Sequence, residues 1–313
     1  MNKDTPSTYC NHNRTHPWCV GVDRMFGLAG TFPIIECEDC GWLLARPALT
    51  PKELKNYYPS NKYYSYYEEQ KESIFGLLRK KYIQYTKEKT VFGNIFSFIF
   101  RVPAIPSYIK KGIMIDIGCG SGGTMQELQS IGWDVYGIDM DKVAIARAKK
   151  RGLKHAMYGT FEDIHTFKSS YFDCIRMYHV IEHLDNPDYC VELIEQKIKK
   201  GGQVIIGTPN RDSLIARMGK TYWYHLDAPR HRVIFSPRTL RKLLESKGLT
   251  ITSYTCCSGG GIIGTLQYYL KDQFGFQGNL INTPWLVILV YPIDWILDRC
   301  MLGDIFVITA TKK

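Results

Sequence analysis

From residue 112 onward, short apolar runs alternate with longer segments whose apolar residues recur every three or four positions. The first kind predicts strands at 113–117, 134–139, 155–158, 172–177, 202–208, 249–254 and 304–311. The second predicts helices at 122–131, 142–150, 188–199 and 237–247. Near-continuous apolar strands separated by helices predict an α/β fold, with a mostly parallel sheet covered on both faces. Ligands of such sheets bind beyond the carboxyl ends of the strands, so chemistry is expected just after Ile117, Ile138, Tyr158, Met177 and Thr208.

Upstream the pattern changes. Residues 1–60 are rich in Cys and His, 61–110 form an aromatic and basic linker expected to be helical, and 111–313 form the main domain with an apolar insertion at about 258–303. Cys37-Glu-Asp-Cys40 has the spacing of half a zinc knuckle, because two thiolates two residues apart fit one tetrahedral ion. A structural zinc held by Cys10, Cys37 and Cys40 with His12 or Cys19 is one expectation, and a metal-free remnant is the other. The apolar stretches at 91–109 and 284–297 fit either helices packed on the sheet or at a subunit contact, or helices lying at a membrane interface. The uncharged run 273–293 is interrupted by Gly275, Gly278, Pro284 and Pro292 and is not expected to span a membrane.

With 45% hydrophobic and 22% charged residues, the 313-residue chain is globular, which excludes disorder as its main state. A net charge of +10 favours anionic partners without choosing among phosphates, nucleic acid and membrane surfaces. No nucleic-acid-binding module is visible, so no nucleic acid partner is expected. The first residues lack the apolar core of a secretory signal, so a cytoplasmic location with reduced cysteines is expected, with peripheral contact at the inner membrane face as an extension. The sequence sets no subunit number.

Asp116-Ile-Gly-Cys-Gly-Ser-Gly-Gly123 lies between the first strong strand and a helix. Glycines there let the backbone approach a ligand, and the helix start offers free N–H groups to an anionic group. Gly118, Gly120 and Gly123 satisfy the dinucleotide fingerprint, and Asp139 stands where an acid would hold a ribose. Two readings follow, a nicotinamide oxidoreductase and a methyltransferase using a nucleoside sulfonium.

The remaining motifs separate them. Gly137-Ile-Asp-Met-Asp141, Tyr171-Phe-Asp-Cys-Ile175, Val180-Ile-Glu-His-Leu-Asp-Asn-Pro187 and Lys199-Lys-Gly-Gly-Gln-Val-Ile-Ile-Gly-Thr-Pro-Asn210 follow the loop in order. Together they resemble the class I S-adenosylmethionine-dependent methyltransferases. The resemblance implies a Rossmann-like seven-stranded sheet whose last strand, 304–311, is antiparallel. It also implies cofactor binding by Asp116, Gly118, Gly120, Gly122, Asp139, Met140, Thr160, Phe161 and His179. Asp139 could alternatively cap the next helix. Relatives commonly read Gly-Asp-Ala-Glu-Asp-Leu where this chain has Gly159-Thr-Phe-Glu-Asp-Ile164, so Glu162 or Asp163 would replace the usual acid or serve only as a helix-start residue.

Methyl transfer is an in-line displacement that depends mainly on positioning, and a hydroxyl acceptor is helped by a base of near-neutral pKa. His183 suits that role, with Glu182 fixing its tautomer and His231 as a second base, although either pair could be purely structural. Tyr222-Trp-Tyr-His-Leu-Asp-Ala-Pro-Arg-His231 resembles a segment of methyltransferases from sugar, cell-envelope and quinone pathways. Tyr222, Trp223 and Tyr224 could stack on a ring, with His225, Asp227 and His231 giving polar contacts. The resemblance implies O-methylation of a small-molecule acceptor, a sugar, glycolipid or quinone-like compound. C- or N-methylation of a nucleotide sugar and a catalytically silent cofactor-binding scaffold are the alternatives.

Overall fold

The computed structural model describes residues 10, 13–59, 74–88 and 102–313, which contain two sheets. The amino-terminal part supplies β1 (Thr15–Val22), β2 (Thr31–Cys37) and β3 (Leu43–Ala45), then the helices α1 (Pro51–Lys55) and α2 (Ile74–Glu88). The main part runs β4 (Ile113–Ile117), α3 (Gly123–Ser130), β5 (Asp134–Asp139), α4 (Lys142–Lys150), β6 (Ala156–Tyr158), β7 (Phe172–Tyr178), α5 (Pro187–Lys197) and β8 (Ile198–Pro209). It continues with α6 (Leu214–Gly219), β9 (Val233–Ile234), α7 (Pro237–Ser246), β10 (Leu249–Cys257), α8 (Gly261–Phe274), α9 (Pro284–Arg299) and β11 (Ile305–Lys312).

The larger sheet has the order β10-β11-β8-β7-β4-β5-β6. Its strands are parallel except β11, which is antiparallel to both β8 and β10. This is the Rossmann-like arrangement the motifs imply. Successive residues of a strand point to opposite faces, so each strand feeds two cores. Ile115, Ile117, Ile175, Met177 and Ile206 pack with Val191 and Ile194 of α5 and Leu240 and Leu244 of α7. Met114, Cys174, Ile205 and Val307 pack with Met125 and Leu128 of α3 and Ile145 and Ala148 of α4. Local signals set the helix starts: Asp141 caps α4, Asn186 before Pro187 caps α5, and Ser236 with Thr239 forms a capping box on α7.

The second sheet is antiparallel, in the order β1-β2-β3-β9. Its fourth strand comes from the main part of the chain, with Leu43 opposite Ile234 and Leu44 opposite Val233. Arg211, just beyond β8, pairs with Glu36 at 2.7 Å and donates to the Gly41 carbonyl at 2.7 Å. The amino-terminal sheet is thereby fixed at the carboxyl edge of the large one. Helix α9 contains the whole stretch 284–297, expected to be buried, at a subunit contact or interfacial, yet only its Leu297 is buried. Residues 91–101 of the other stretch lie outside the described residues. Among the described residues no helix is long and apolar enough to cross a membrane.

Candidate active site

The loop after β4 turns through Gly118, Gly120 and Gly122, all in left-handed conformations with φ of 75°, 54° and 78°. A Cβ at Gly118 would overlap Val180 and one at Gly122 would overlap Leu153, whereas one at Gly120 would meet nothing within 4 Å. Gly120 therefore fronts an open cradle that a side chain would fill. Asp139, at the end of β5, closes the cradle: its Oδ2 accepts from the Gly120 N–H at 2.7 Å and its Oδ1 from the Asp141 N–H at 2.8 Å. A carboxylate has about four acceptor positions, so two are left for other donors such as paired ribose hydroxyls. Burial raises the pKa of Asp139 and these two hydrogen bonds oppose the rise. The cap of α4 is Asp141, which accepts from the Val143 and Ala144 N–H groups, so Asp139 is not spent on capping.

Met140 and Tyr158 flank Asp139 and are 73% and 57% exposed, the apolar surface a flat base would cover. Phe161 opens a 3-10 turn, Phe161–Thr166, in which Asp163 accepts from the Thr160 N–H at 2.8 Å. Asp163 thus caps its own turn, and Glu162 is exposed. Asp116, expected at the cofactor, is instead buried and paired with Arg176 at 2.7 Å; Arg176 in turn donates to the Ala104 carbonyl. Its role is to brace the base of the loop, because a buried carboxylate needs a fixed cation.

The histidines gather after β7. Glu182 is fully buried; its Oε1 lies 3.0 Å from His179 Nδ1 and its Oε2 accepts from the Thr208 hydroxyl at 2.9 Å. Burial would raise its pKa, but the His179 hydrogen bond and the surrounding imidazoles hold it down at about 2. His183 Nδ1 faces the Arg230 carbonyl at 3.0 Å and the Tyr58 hydroxyl at 3.3 Å. A carbonyl only accepts, so in the neutral ring Nδ1 carries the hydrogen and Nε2 keeps its lone pair. His231 repeats the arrangement, with Nδ1 on the His225 carbonyl at 2.8 Å, and its ring lies 4.7 Å from that of His183. The expected Glu182–His183 hydrogen bond is replaced: a Glu182 carboxylate oxygen and ring nitrogens of His183 and His231 lie within 4.8 Å of one another, but the hydrogen bonds of Glu182 go to His179 and Thr208, and the backbone orients His183. Trp223 is also corrected, since it is buried and donates to Asp304 at 3.1 Å instead of presenting a stacking face.

Burial lowers the pKa of His231 to about 4 and of His225 to about 3, from an ordinary 6.5. The unfolded chain binds protons that the folded site refuses in the window from about pH 6.5 to 4. Stability is accordingly full above that window and is lost as the pH falls through it, by up to about 1.4 kcal/mol per pH unit for each ring. Thermal midpoints should be flat above pH 7 and drop between pH 6.5 and 5. A midpoint unchanged at pH 5 would show that the rings are open to water.

The geometry joins a glycine cradle closed by Asp139 to a histidine cluster at the same sheet edge. A family profile described as a methyltransferase domain matches residues 91–254, just over half of the chain. The chain belongs to the methyltransferase family. An uncharacterised protein of Methanocaldococcus jannaschii is 32% identical over 117 residues, covering 37% of this methyltransferase and 54% of that protein. Ubiquinone biosynthesis O-methyltransferases are similar too: that of Sinorhizobium fredii is 25% identical over 165 residues, covering 50% of this chain and 66% of its own. That of Nitrosococcus oceani is 31% identical over 117 residues, covering 35% and 50%. The matched region thus spans about half to two thirds of these relatives' length. A solved structure of a methyltransferase from Archaeoglobus fulgidus has a TM-score of 0.44 at 20% identity, covering 77% of this chain and all of that one.

The amino-terminal part of the methyltransferase contributes to the site in a way the sequence did not reveal. Besides Tyr58 on His183, Asp23 pairs with the fully buried Arg230 at 2.7 Å; Arg230 also holds Asp227 at 2.6 Å and donates to the Tyr57 carbonyl at 2.9 Å. The ligand atoms of Cys10, Cys37 and Cys40 lie within 4.8 Å of one another, and the Cys40 N–H donates to Cys37 Sγ at 3.5 Å. Burial would raise the Cys37 thiol, but hydrogen bonds from Cys40 and Cys10 bring it down to about 7. These three thiols fit three corners of a zinc site. Cys19 sits apart, packed on the cluster of Phe32, Trp223 and Leu226, with its thiol pushed up to about 12 by burial. His12 lies outside the described residues.

Proposed function

We propose that this methyltransferase uses S-adenosylmethionine to methylate a hydroxyl of a small acceptor, a sugar, glycolipid or quinone-like molecule, with His183 as general base. The observation that carries the reading is His183 itself: its Nδ1 hydrogen is fixed on the Arg230 carbonyl, and the ring is only partly buried, so Nε2 is available at the carboxyl edge. The similarity to ubiquinone O-methyltransferases supports oxygen as the methylated atom. S-adenosylmethionine, when bound, supplies an electrophilic methyl group. Asp139 and the loop around Gly120 would hold its ribose and amino-acid ends, and Met140, Tyr158 and Phe161 its base.

His183 Nε2 takes the acceptor's hydroxyl proton, and the imidazolium so formed is stabilised by the Arg230 carbonyl and the nearby Glu182 carboxylate. His231 is nearly enclosed and its low pKa makes it the weaker base, so its part is to pack and orient His183. The Cys10, Cys37 and Cys40 cluster is proposed to bind a structural zinc.

Mass spectrometry under non-denaturing conditions should find S-adenosylmethionine or its homocysteine product retained, with one zinc. His183→Asn should leave S-adenosylhomocysteine affinity within twofold while methyl transfer to a panel of catechols and glycosides falls by about 10²–10⁴. A variant with undiminished transfer would remove His183 from the role of base.

A further inference from the structure

Beyond the carboxyl end of β10 lies a cavity of about 180 Å³, formed by the loop 257–260, Ile263 of α8, Val287, Tyr291 and Trp295 of α9, and Pro103. It is smaller than the roughly 300–1,000 Å³ of a whole-ligand pocket and suits a segment of a ligand. Its α8 and α9 walls are aliphatic and aromatic over most of their length, with acids and Arg299 at one end. There Asp298 is satisfied by Ser258, at 2.8 and 3.0 Å, whereas one buried carboxylate oxygen of Asp294 has no hydrogen-bond partner among the described residues. Such an oxygen is relieved by a donor brought in with a ligand.

The helix that roofs the cavity is apolar on both sides. While Val287, Tyr291 and Trp295 face inward, Trp285, Ile288, Leu289, Ile293 and Ile296 are each more than half exposed. A helix that is hydrophobic over most of its surface belongs in a large core or in lipid, and among the described residues no core covers α9. One wall residue touches the strand that carries the histidines. Cys257 in its wall has its Sγ 4.0 Å from the hydroxyl of Tyr178, the residue before His179.

We propose that this cavity takes the apolar chain of a lipid acceptor, with α9 resting in the lipid surface from which that acceptor is drawn. The word acceptor rests on the methyl-transfer reading above, whereas binding of an alkyl chain does not. The chain's polar end would give a hydrogen-bond donor to Asp294 and leave the reacting hydroxyl at the sheet edge beside His183.

The test titrates the purified chain with 11-(dansylamino)undecanoic acid by fluorescence, alongside calorimetry with S-adenosylhomocysteine and sedimentation with phosphatidylcholine–phosphatidylglycerol vesicles. Wild-type protein should bind probe and vesicles. Val287→Trp and Ile263→Phe, which fill the cavity, should each weaken probe binding at least tenfold while leaving S-adenosylhomocysteine affinity within twofold. The double variant Leu289→Ser, Ile293→Ser should lose most vesicle binding and keep the probe. Probe binding untouched by both filling variants would overturn the cavity assignment, and vesicle binding untouched by the double variant would overturn the role of α9. Normal probe binding with no S-adenosylhomocysteine binding would sink the methyl-transfer reading and leave the cavity assignment standing.

Discussion

Replacing Asp139 with alanine is expected to weaken S-adenosylhomocysteine binding about 100-fold, because two hydrogen bonds to a charged acceptor are worth roughly 1.5–3 kcal/mol each and part of that is recovered by water. The side chain acts twice. Its carboxylate would offer two further acceptor positions to the ribose hydroxyls of the proposed cofactor, and its contacts at 2.7 and 2.8 Å hold the Gly120 and Asp141 N–H groups that shape the cradle. Both losses act in the same direction. Asp139→Asn preserves the shape and one acceptor oxygen but loses the charge and presents a donor to an N–H, so its affinity should fall between the other two. Calorimetry on the three proteins decides the matter. An alanine variant within threefold of wild type would mean that the ribose is held elsewhere, and the cradle assignment would fail with it.

That acid could be read from the sequence because everything that places it is local. The glycine loop and the strand 134–139 lie within one β–α–β unit, and strands buried on both faces show as near-continuous apolar runs. The antiparallel sheet at the amino terminus left no such trace. β1 mixes His16, Pro17, Trp18 and Cys19 without a clean alternation, and β9 has two residues, contributed from almost 200 positions away. The same distance hid the orientation of His183. Its partners are a backbone carbonyl, invisible to any reading of side chains, and Tyr58 from a segment that gives no local sign of touching the site. Where the sequence offered a neighbouring acid as orienter, Glu182, that acid lies close to His183 but has its hydrogen bonds with His179 and Thr208. Trp223 failed as a stacking residue for a related reason: an aromatic beside a charged loop reads as ligand surface until the buried Asp304 that accepts from its indole N–H is known.

Arg230→Met should be the most destabilising single change in the site, lowering the thermal midpoint by about 10 °C, since breaking a buried ion pair by removing one partner costs roughly 3–5 kcal/mol at about 2–4 °C each. The guanidinium is fully enclosed and serves two carboxylates, of which Asp23 is buried with it and Asp227 is nearly so. Methionine fills much of the volume, so the loss measures charge more than cavity. An exposed pair such as Arg241 with Glu245 provides the contrast, because water screens it and its removal should move the midpoint by less than about 1–2 °C. If stranded charge is the cause, the triple variant Asp23→Asn, Asp227→Asn, Arg230→Met should melt above the single variant, although it has lost more hydrogen bonds. Such an order would also explain why the amino-terminal part is joined to the histidine cluster at this point: the carbonyl that fixes His183 belongs to Arg230, so an anchor on Asp23 restrains the proposed base through the backbone. A single variant that melts within 2 °C of wild type would show that water reaches these groups, and the amino-terminal sheet would then be a cover over the site and not part of its frame.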